Sequence, residues 1–144
     1  MAKSNKSRIV ITGLDEYVEK LNKLNSNILK PTTEKALLET HKYITNNIKN
    51  ELARYNLERT GALKRSFREE GKVWWLGGSK GMIEVGFDQS VSKHAIYLMI
   101  TGTPWRAPDK KLYNATYGNR DKVTEIQKQI FEQAVQEAMK WKNY

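Results

Sequence analysis

Two long stretches of helical periodicity enclose a short central segment with the pattern of β-strands, and this order limits the possible fold more than any other feature. In the first stretch, Pro31 is expected to separate a helix over residues 14–28 from a longer one. The longer helix is predicted to begin near Thr32 or Thr33, as N-cap, and to end at about Tyr55. The residues expected on its apolar side are Leu37, Ile44, Ile48, Leu52 and Tyr55.

The central segment predicts a small antiparallel sheet. Residues 72–77 and 81–87 are strand-like and flank a glycine-rich turn, which is the pattern of a β-hairpin. Alternation places Ile83, Val85 and Phe87 on one face of the second strand. Two further strands are predicted, one over residues 8–12 and one over residues 63–69.

The last third of the chain ends in another helix, predicted over residues 121–141. Residues 94–101 are apolar and fit either a strand or a short helix, whereas residues 102–119 predict a long loop with one helical turn near Leu112–Ala115. The buried stripe expected on the last helix is Val123, Ile126, Ile130, Ala134, Ala138 and Trp141. The sequence therefore predicts one α+β domain over residues 1–144: an N-terminal strand, two long helices with a small antiparallel sheet, and a C-terminal helix.

Several classes of function are excluded by residue type. Cysteine is absent, and His41 and His94 are the only histidines, so a metal site is not expected. The run Gly-Gly-Ser-Lys-Gly at residues 77–81 lacks the order of a phosphate-binding loop, and no nucleophile or paired carboxylates have a catalytic spacing. No apolar run approaches the ~20 residues that span a bilayer. The prediction is a protein without enzymatic activity or cofactors, made in a cytoplasm and not associated with a membrane.

The chain is strongly basic, with 25 Lys and Arg against 16 Asp and Glu and a net charge of +9. Because phosphates attract clustered cations, one hypothesis is a nucleic-acid-binding module. Its stacking surface would be a sheet face with aromatic and basic side chains, namely Phe67, Trp74, Trp75, Arg65 and Lys72. The lysines are nevertheless scattered over the predicted helices, and no block of five like charges occurs, which favours solvated helix faces.

Tryptophan and tyrosine residues mark the candidate interface. Adjacent residues of a strand face opposite sides, so only one of Trp74 and Trp75 is expected to reach the core of the domain. The other must be covered by the closing helix or by a partner. Exposed aromatic residues and arginine dominate protein–protein interfaces, and the predicted long loop is rich in them. The interface residues predicted are Trp75, Trp105, Arg106, Tyr113 and Tyr117.

The order of motifs resembles the tail-completion, or head–tail joining, family of neck proteins from long-tailed bacteriophages. IVITGLDEYVEKLNKL at residues 9–24 is similar to the strand and helix that open such proteins. TGALKRSF at 60–67 is similar to their T-G-x-L-x-x-S turn. The family then has V-G followed by Y-A-x-Y-x-E-x-G-T, and this pair of motifs is similar to IEVGF at 83–87 and HAIYLMITGT at 94–103. His94 replaces the first aromatic of that last motif, and the acidic residue is replaced around Met99.

The resemblance implies a structural virion protein that joins the tail to the DNA-filled head. It implies helices packed on a curved sheet, and a ring of six subunits in the virion neck after assembly in the host cytoplasm. The partners implied are other copies of the chain, the head-completion or connector proteins on one side, and the tail terminator or tail tube protein on the other. Packaged DNA would pass close to a basic face of the ring.

Overall fold

The computed structural model describes residues 7–10, 15–53, 61–78, 80–88, 93–104 and 106–142, and it confirms an α+β fold. Within these ranges no helix is both long and apolar enough to cross a membrane. The strands are β1 (Ser7–Val10), β2 (Val73–Gly77) and β3 (Lys80–Val85). The helices are α1 (Asp15–Asn25), α2 (Leu29–Leu52), α3 (Ala62–Ser66), α4 (His94–Ile96), α5 (Lys110–Tyr117) and α6 (Arg120–Lys142), with a 3₁₀ turn at Ser26–Ile28 and a π-helical turn at Tyr97–Thr101.

Helix α2 is the central element and begins earlier than predicted. Pro31 lies in its first turn instead of before it, which is possible because the first N–H groups of a helix have no partner within the helix. The predicted N-cap threonines are buried, and the Thr32 hydroxyl donates a hydrogen bond of 2.7 Å to the Ile28 carbonyl. The predicted apolar side is confirmed for its four described members, Leu37, Ile44, Ile48 and Leu52, whereas Tyr55 lies outside the described residues.

The predicted hairpin is confirmed. The three-stranded sheet has the order β1-β3-β2 with antiparallel pairing throughout, so β2 is an edge strand. Ile83, Val85 and Phe87 are buried as predicted, and β3 packs against α2. The register of the hairpin shifts between Trp75 and Gly77, next to the turn.

The prediction of a strand over residues 63–69 is wrong. Residues 62–66 form the short helix α3, and only Phe67 pairs with Phe87 in an isolated bridge. Leu63 and Phe67 are four residues apart, a spacing that places both on one face of a strand and also on one face of a helix. The helix is favoured because Leu63 and Ser66 are both buried, and the Ser66 hydroxyl donates to the Leu63 carbonyl at 2.7 Å.

Residues 94–119 are more helical than predicted. The ambiguous run 94–101 is α4 followed by the π-helical turn, and the predicted single turn near Leu112–Ala115 is the eight-residue helix α5. The Asp109 carboxylate starts α5, because its Oδ1 accepts a hydrogen bond of 3.0 Å from the Leu112 amide. The described residues between the π-helical turn and α5 that lie outside helices are therefore few, 102–104 and 106–109.

Helix α6 packs on α1 and α2. The predicted stripe is buried or half-buried from Val123 to Ala138, but the centre of the buried face is Gln127, Phe131 and Val135. One core cluster joins α1, the start of α2 and α6 around Phe131. A second cluster joins the later part of α2 to β3, α3, the 94–101 segment and α5. The Trp141 side chain is outside the described part of the chain.

Candidate interaction surfaces

The two tryptophans of β2 lie on opposite faces of the sheet, as their adjacency predicts. Trp75 is half-buried on the face towards α2: a Cβ added to Gly81 would lie 3.2 Å from its ring and 2.8 Å from Cδ1 of Leu37. Trp74 is on the outer face and is 44% exposed, and Leu76, at the register shift, is 53% exposed. The structure therefore places Trp74, more than the predicted Trp75, on the outer surface of the domain.

Each indole of β2 is covered by an ammonium group. The Lys72 Nζ lies 4.3 Å from the ring centre of Trp74, and the Lys30 Nζ lies 4.6 Å from that of Trp75. Both distances are within the range of cation–π attraction. Lys30 comes from the first turn of α2, so this pairing could not be read from the strand sequence. We call β2 together with Lys30 and Lys72 the hairpin surface.

A second exposed aromatic surface lies on α5. Tyr113 and Tyr117, one turn apart, have ring centres 4.9 Å apart and are 41% and 42% exposed. On the neighbouring face of α5, Leu112 and Thr116 are buried against α2 and the π-helical turn. Both predicted tyrosines are thus brought together as a pair. We call this pair the α5 surface.

The predicted residues before α5 are only partly described. Arg106 has an exposed side chain, and its backbone closes a tight turn with Thr103 through hydrogen bonds of 2.8 and 3.2 Å. Gly102, just before the turn, has φ +68°. Trp105 lies outside the described residues.

An open groove runs between α2 and α6, with a volume of about 450 Å³. Tyr43, Ile126 and Ile130 contribute apolar surface, while Lys35 and Lys42 are among the charged residues that line it. This groove could not be read from the sequence, because its two sides are almost 90 residues apart in the chain. Its walls carry both lysines and Glu39, so the lining has no single charge preference.

The titratable groups buried in the domain have structural partners. His41 donates from Nε2 to the Arg68 carbonyl at 3.0 Å, and burial lowers the pKa of His41, with that hydrogen bond opposing the effect. The buried Asp88 carboxylate pairs with the Arg68 guanidinium. In the described ranges, no three His, Cys, Asp or Glu side chains are grouped so that they could hold a metal ion. The His94 side chain is not among those described.

The single aromatic platform expected for nucleic-acid binding is not assembled. Trp74 and Trp75 face opposite sides, and Phe67 stacks on Phe87 with a ring separation of 5.3 Å. Arg65 lies on α3 and not on the sheet. Lys72 covers Trp74 itself.

Comparisons with protein-family models, with curated proteins and with solved structures give no match.

Proposed function

We propose that the chain is a structural subunit of a bacteriophage neck, which joins the tail to the DNA-filled head through contacts with two different partners. The observation that carries the proposal is the placement of the hairpin surface and the α5 surface along α2. Trp75 of the hairpin lies beside Lys30 at the start of α2. At the other end of the helix, the Asn47 amide donates to Asn119, just after α5, at 3.2 Å.

The separation of the two surfaces follows from helix geometry. Lys30 and Asn47 are 17 residues apart in one continuous helix, which corresponds to about 25 Å. A helix packed along this length holds the two surfaces at a fixed spacing. Exposed aromatic side chains at both ends suit a small protein that contacts two neighbours at once.

The resemblance to neck proteins supports the proposal through the core. Leu63, Val85, Phe87, Ala95 and Met99 come from three of the resembling motifs and lie in one buried cluster against the later part of α2. The three motifs are separate in the sequence, and their residues pack together. The resembling residues are therefore ones that build the core of the domain. The joining role and the ring of six subunits are part of the proposal because the resemblance implies them. In such a ring each contact is between unlike surfaces and repeats until the ring closes.

The first test is electron microscopy of lysates from a phage whose copy of this gene has an early stop codon. The proposal predicts separate DNA-filled heads and finished tails. Intact, joined virions would refute it, and the nucleic-acid-binding hypothesis would then be tested by salt-dependent DNA binding of the isolated protein.

Surface variants in the same phage test the two-partner geometry. We expect Trp74→Glu on the hairpin surface, or Tyr113→Glu with Tyr117→Glu on the α5 surface, to leave heads and tails unjoined while the isolated protein stays folded. Met139→Glu is the matched control, because Met139 is also a large apolar residue, 44% exposed, on α6. Normal joining by both the hairpin and the α5 variants would contradict the geometry.

A further inference from the structure

We infer that the open edge of β2 binds an extended, acidic segment of a partner protein, which adds to the sheet as a fourth strand. This inference goes beyond the proposed function and does not depend on it. In the part of the chain that the structure describes, β2 pairs with β3 on one side and with no strand on the other. Its five residues match the usual length of a strand that takes part in such pairing.

The edge strand has a register shift near its end but lacks two other features that protect natural sheet edges. Unpaired edges are usually shortened, covered, or blocked by proline and inward-pointing charges, because they otherwise pair with other chains. The strand Val73–Gly77 contains no proline and no charged residue. Instead, it exposes Trp74 on its outer face and Leu76 at the register shift, so both large apolar side chains are accessible to an added strand.

The charge at this edge indicates the chemistry of the partner. Lys72 lies over Trp74 on the outer face, and Lys30 lies over Trp75 on the face towards α2. Successive residues of an added strand point to opposite faces, so two adjacent carboxylates would each reach one of these ammonium groups. The matching ligand is therefore an extended segment with neighbouring acidic residues, flanked by residues that suit a strand.

The acidic residues near the edge do not cancel this charge. The Glu69 carboxylate pairs with Lys49 at 2.5 Å, which lowers the pKa of Glu69. Glu84 is on the central strand, opposite Arg8 in the register, and has an interaction of its own. Glu70 is exposed just before the strand, and Lys80 is exposed at the start of the next one.

A protein segment is favoured over the other ligands of similar charge. A second copy of this chain is disfavoured because each copy carries a net charge of +9 and would bring the same lysines to the contact. A nucleic acid would use stacked aromatic rings, but each face of β2 presents one indole that is already covered by a lysine. The backbone groups of a strand edge are matched by another peptide backbone.

The test measures binding of labelled hexapeptides to the purified full chain by fluorescence anisotropy. The acidic probe is Thr-Val-Asp-Glu-Val-Thr, and the charge control is Thr-Val-Lys-Lys-Val-Thr. A third peptide keeps the acidic sequence but is N-methylated at every backbone amide, so it has the same charge and cannot donate the strand hydrogen bonds on either of its edges. We expect saturable binding of the acidic probe only, weakened by salt.

Protein variants locate the site. Lys30→Glu combined with Lys72→Glu should weaken binding of the acidic probe by about tenfold or more, because two charge pairs are reversed. Lys128→Glu with Lys140→Glu is the matched control: it makes the same change in net charge at exposed residues of α6 and should alter the affinity by less than about twofold. Hydrogen exchange of the β2 amides should slow when the acidic probe binds.

Three results would overturn the inference. Equal binding of the N-methylated peptide would show attraction by charge without strand addition. A single-stranded oligothymidylate that binds through Lys30 and Lys72, while the acidic peptide does not, would assign the surface to nucleic acid. If the two lysines only prevent β2 from pairing with other chains, no peptide will bind. The Lys30→Glu, Lys72→Glu variant will then self-associate. The neck proposal has a separate test, the joining of heads to tails.

Discussion

Replacement of Gly102 by alanine should destabilise the domain more than its small size suggests. The backbone of Gly102 has φ +68° and ψ −170°, a region that is almost restricted to glycine. A Cβ built at this position would lie 2.8 Å from the Arg106 carbonyl oxygen and 2.9 Å from Cδ of Pro108. These neighbours belong to the turn after the π-helical segment, and neither is the end of a flexible side chain.

The expected cost has two parts. The backbone conformation costs about 1–3 kcal/mol for a residue other than glycine. Relief of the overlap requires a shift of the turn, and such overpacking typically costs about 1–3 kcal/mol. Together, Gly102→Ala should lower the free energy of unfolding by about 2–6 kcal/mol, out of a total of about 5–15 kcal/mol for a typical domain.

Gly78→Ala separates these two parts. Gly78 also has a positive φ, of +54°, but no atom lies within 4 Å of an added Cβ. Its cost is therefore the conformational one alone, about 1–2 kcal/mol. Guanidinium unfolding followed by circular dichroism gives both free energies, provided that the slope with denaturant stays the same. If Gly102→Ala costs no more than Gly78→Ala, the described packing of the turn is wrong.

Three further predictions concern buried side chains. The pKa of His41 is below that of an unfolded histidine, so as the pH falls the unfolded chain binds a proton at a higher pH than the folded one. The thermal midpoint should therefore fall as the pH drops below about 6.5. His41→Asn should make the thermal midpoint depend less on pH in this range. Phe131→Ala should cost about 3–5 kcal/mol in denaturant unfolding, since the ring is fully buried, whereas Met139→Ala should cost less than about 0.5 kcal/mol. Asp88→Asn should lower the free energy of denaturant unfolding by about 1–3 kcal/mol, because the buried Asp88 carboxylate neutralises the Arg68 guanidinium. A loss as small as that caused by Asp121→Asn, at an exposed position, would contradict this.

Long periodic segments could be predicted from the sequence because many residues report the same period. The faces of α2 and α6 and the β2–β3 hairpin are of this kind. Short segments could not be: the four-residue spacing of Leu63 and Phe67 fits two structures, and the choice depends on the packing of α3 in the core. Pro31 was misplaced because a proline before a helix and one in its first turn look alike in sequence.

The candidate surfaces were predicted in part. Adjacency was enough to place Trp74 and Trp75 on opposite faces, but which one is exposed depends on the side of the sheet that α2 covers. The tyrosines of α5 were found because aromatic residues in a polar segment are conspicuous. Lys30 was missed as a partner of Trp75, because 45 positions separate them and only the packing of α2 on the sheet brings them within reach.

The sharing of α2 by both core clusters has a mechanical consequence. Leu29 and Ala36 belong to one cluster, and Ile44, Ile48 and Leu52 belong to the other. A pull that separates α1 from α5 is therefore transmitted along a helix whose two halves are anchored in different core clusters. Because both clusters share this helix, neither can unfold without disturbing the other. The domain should therefore unfold as one unit under force and give a single rupture event.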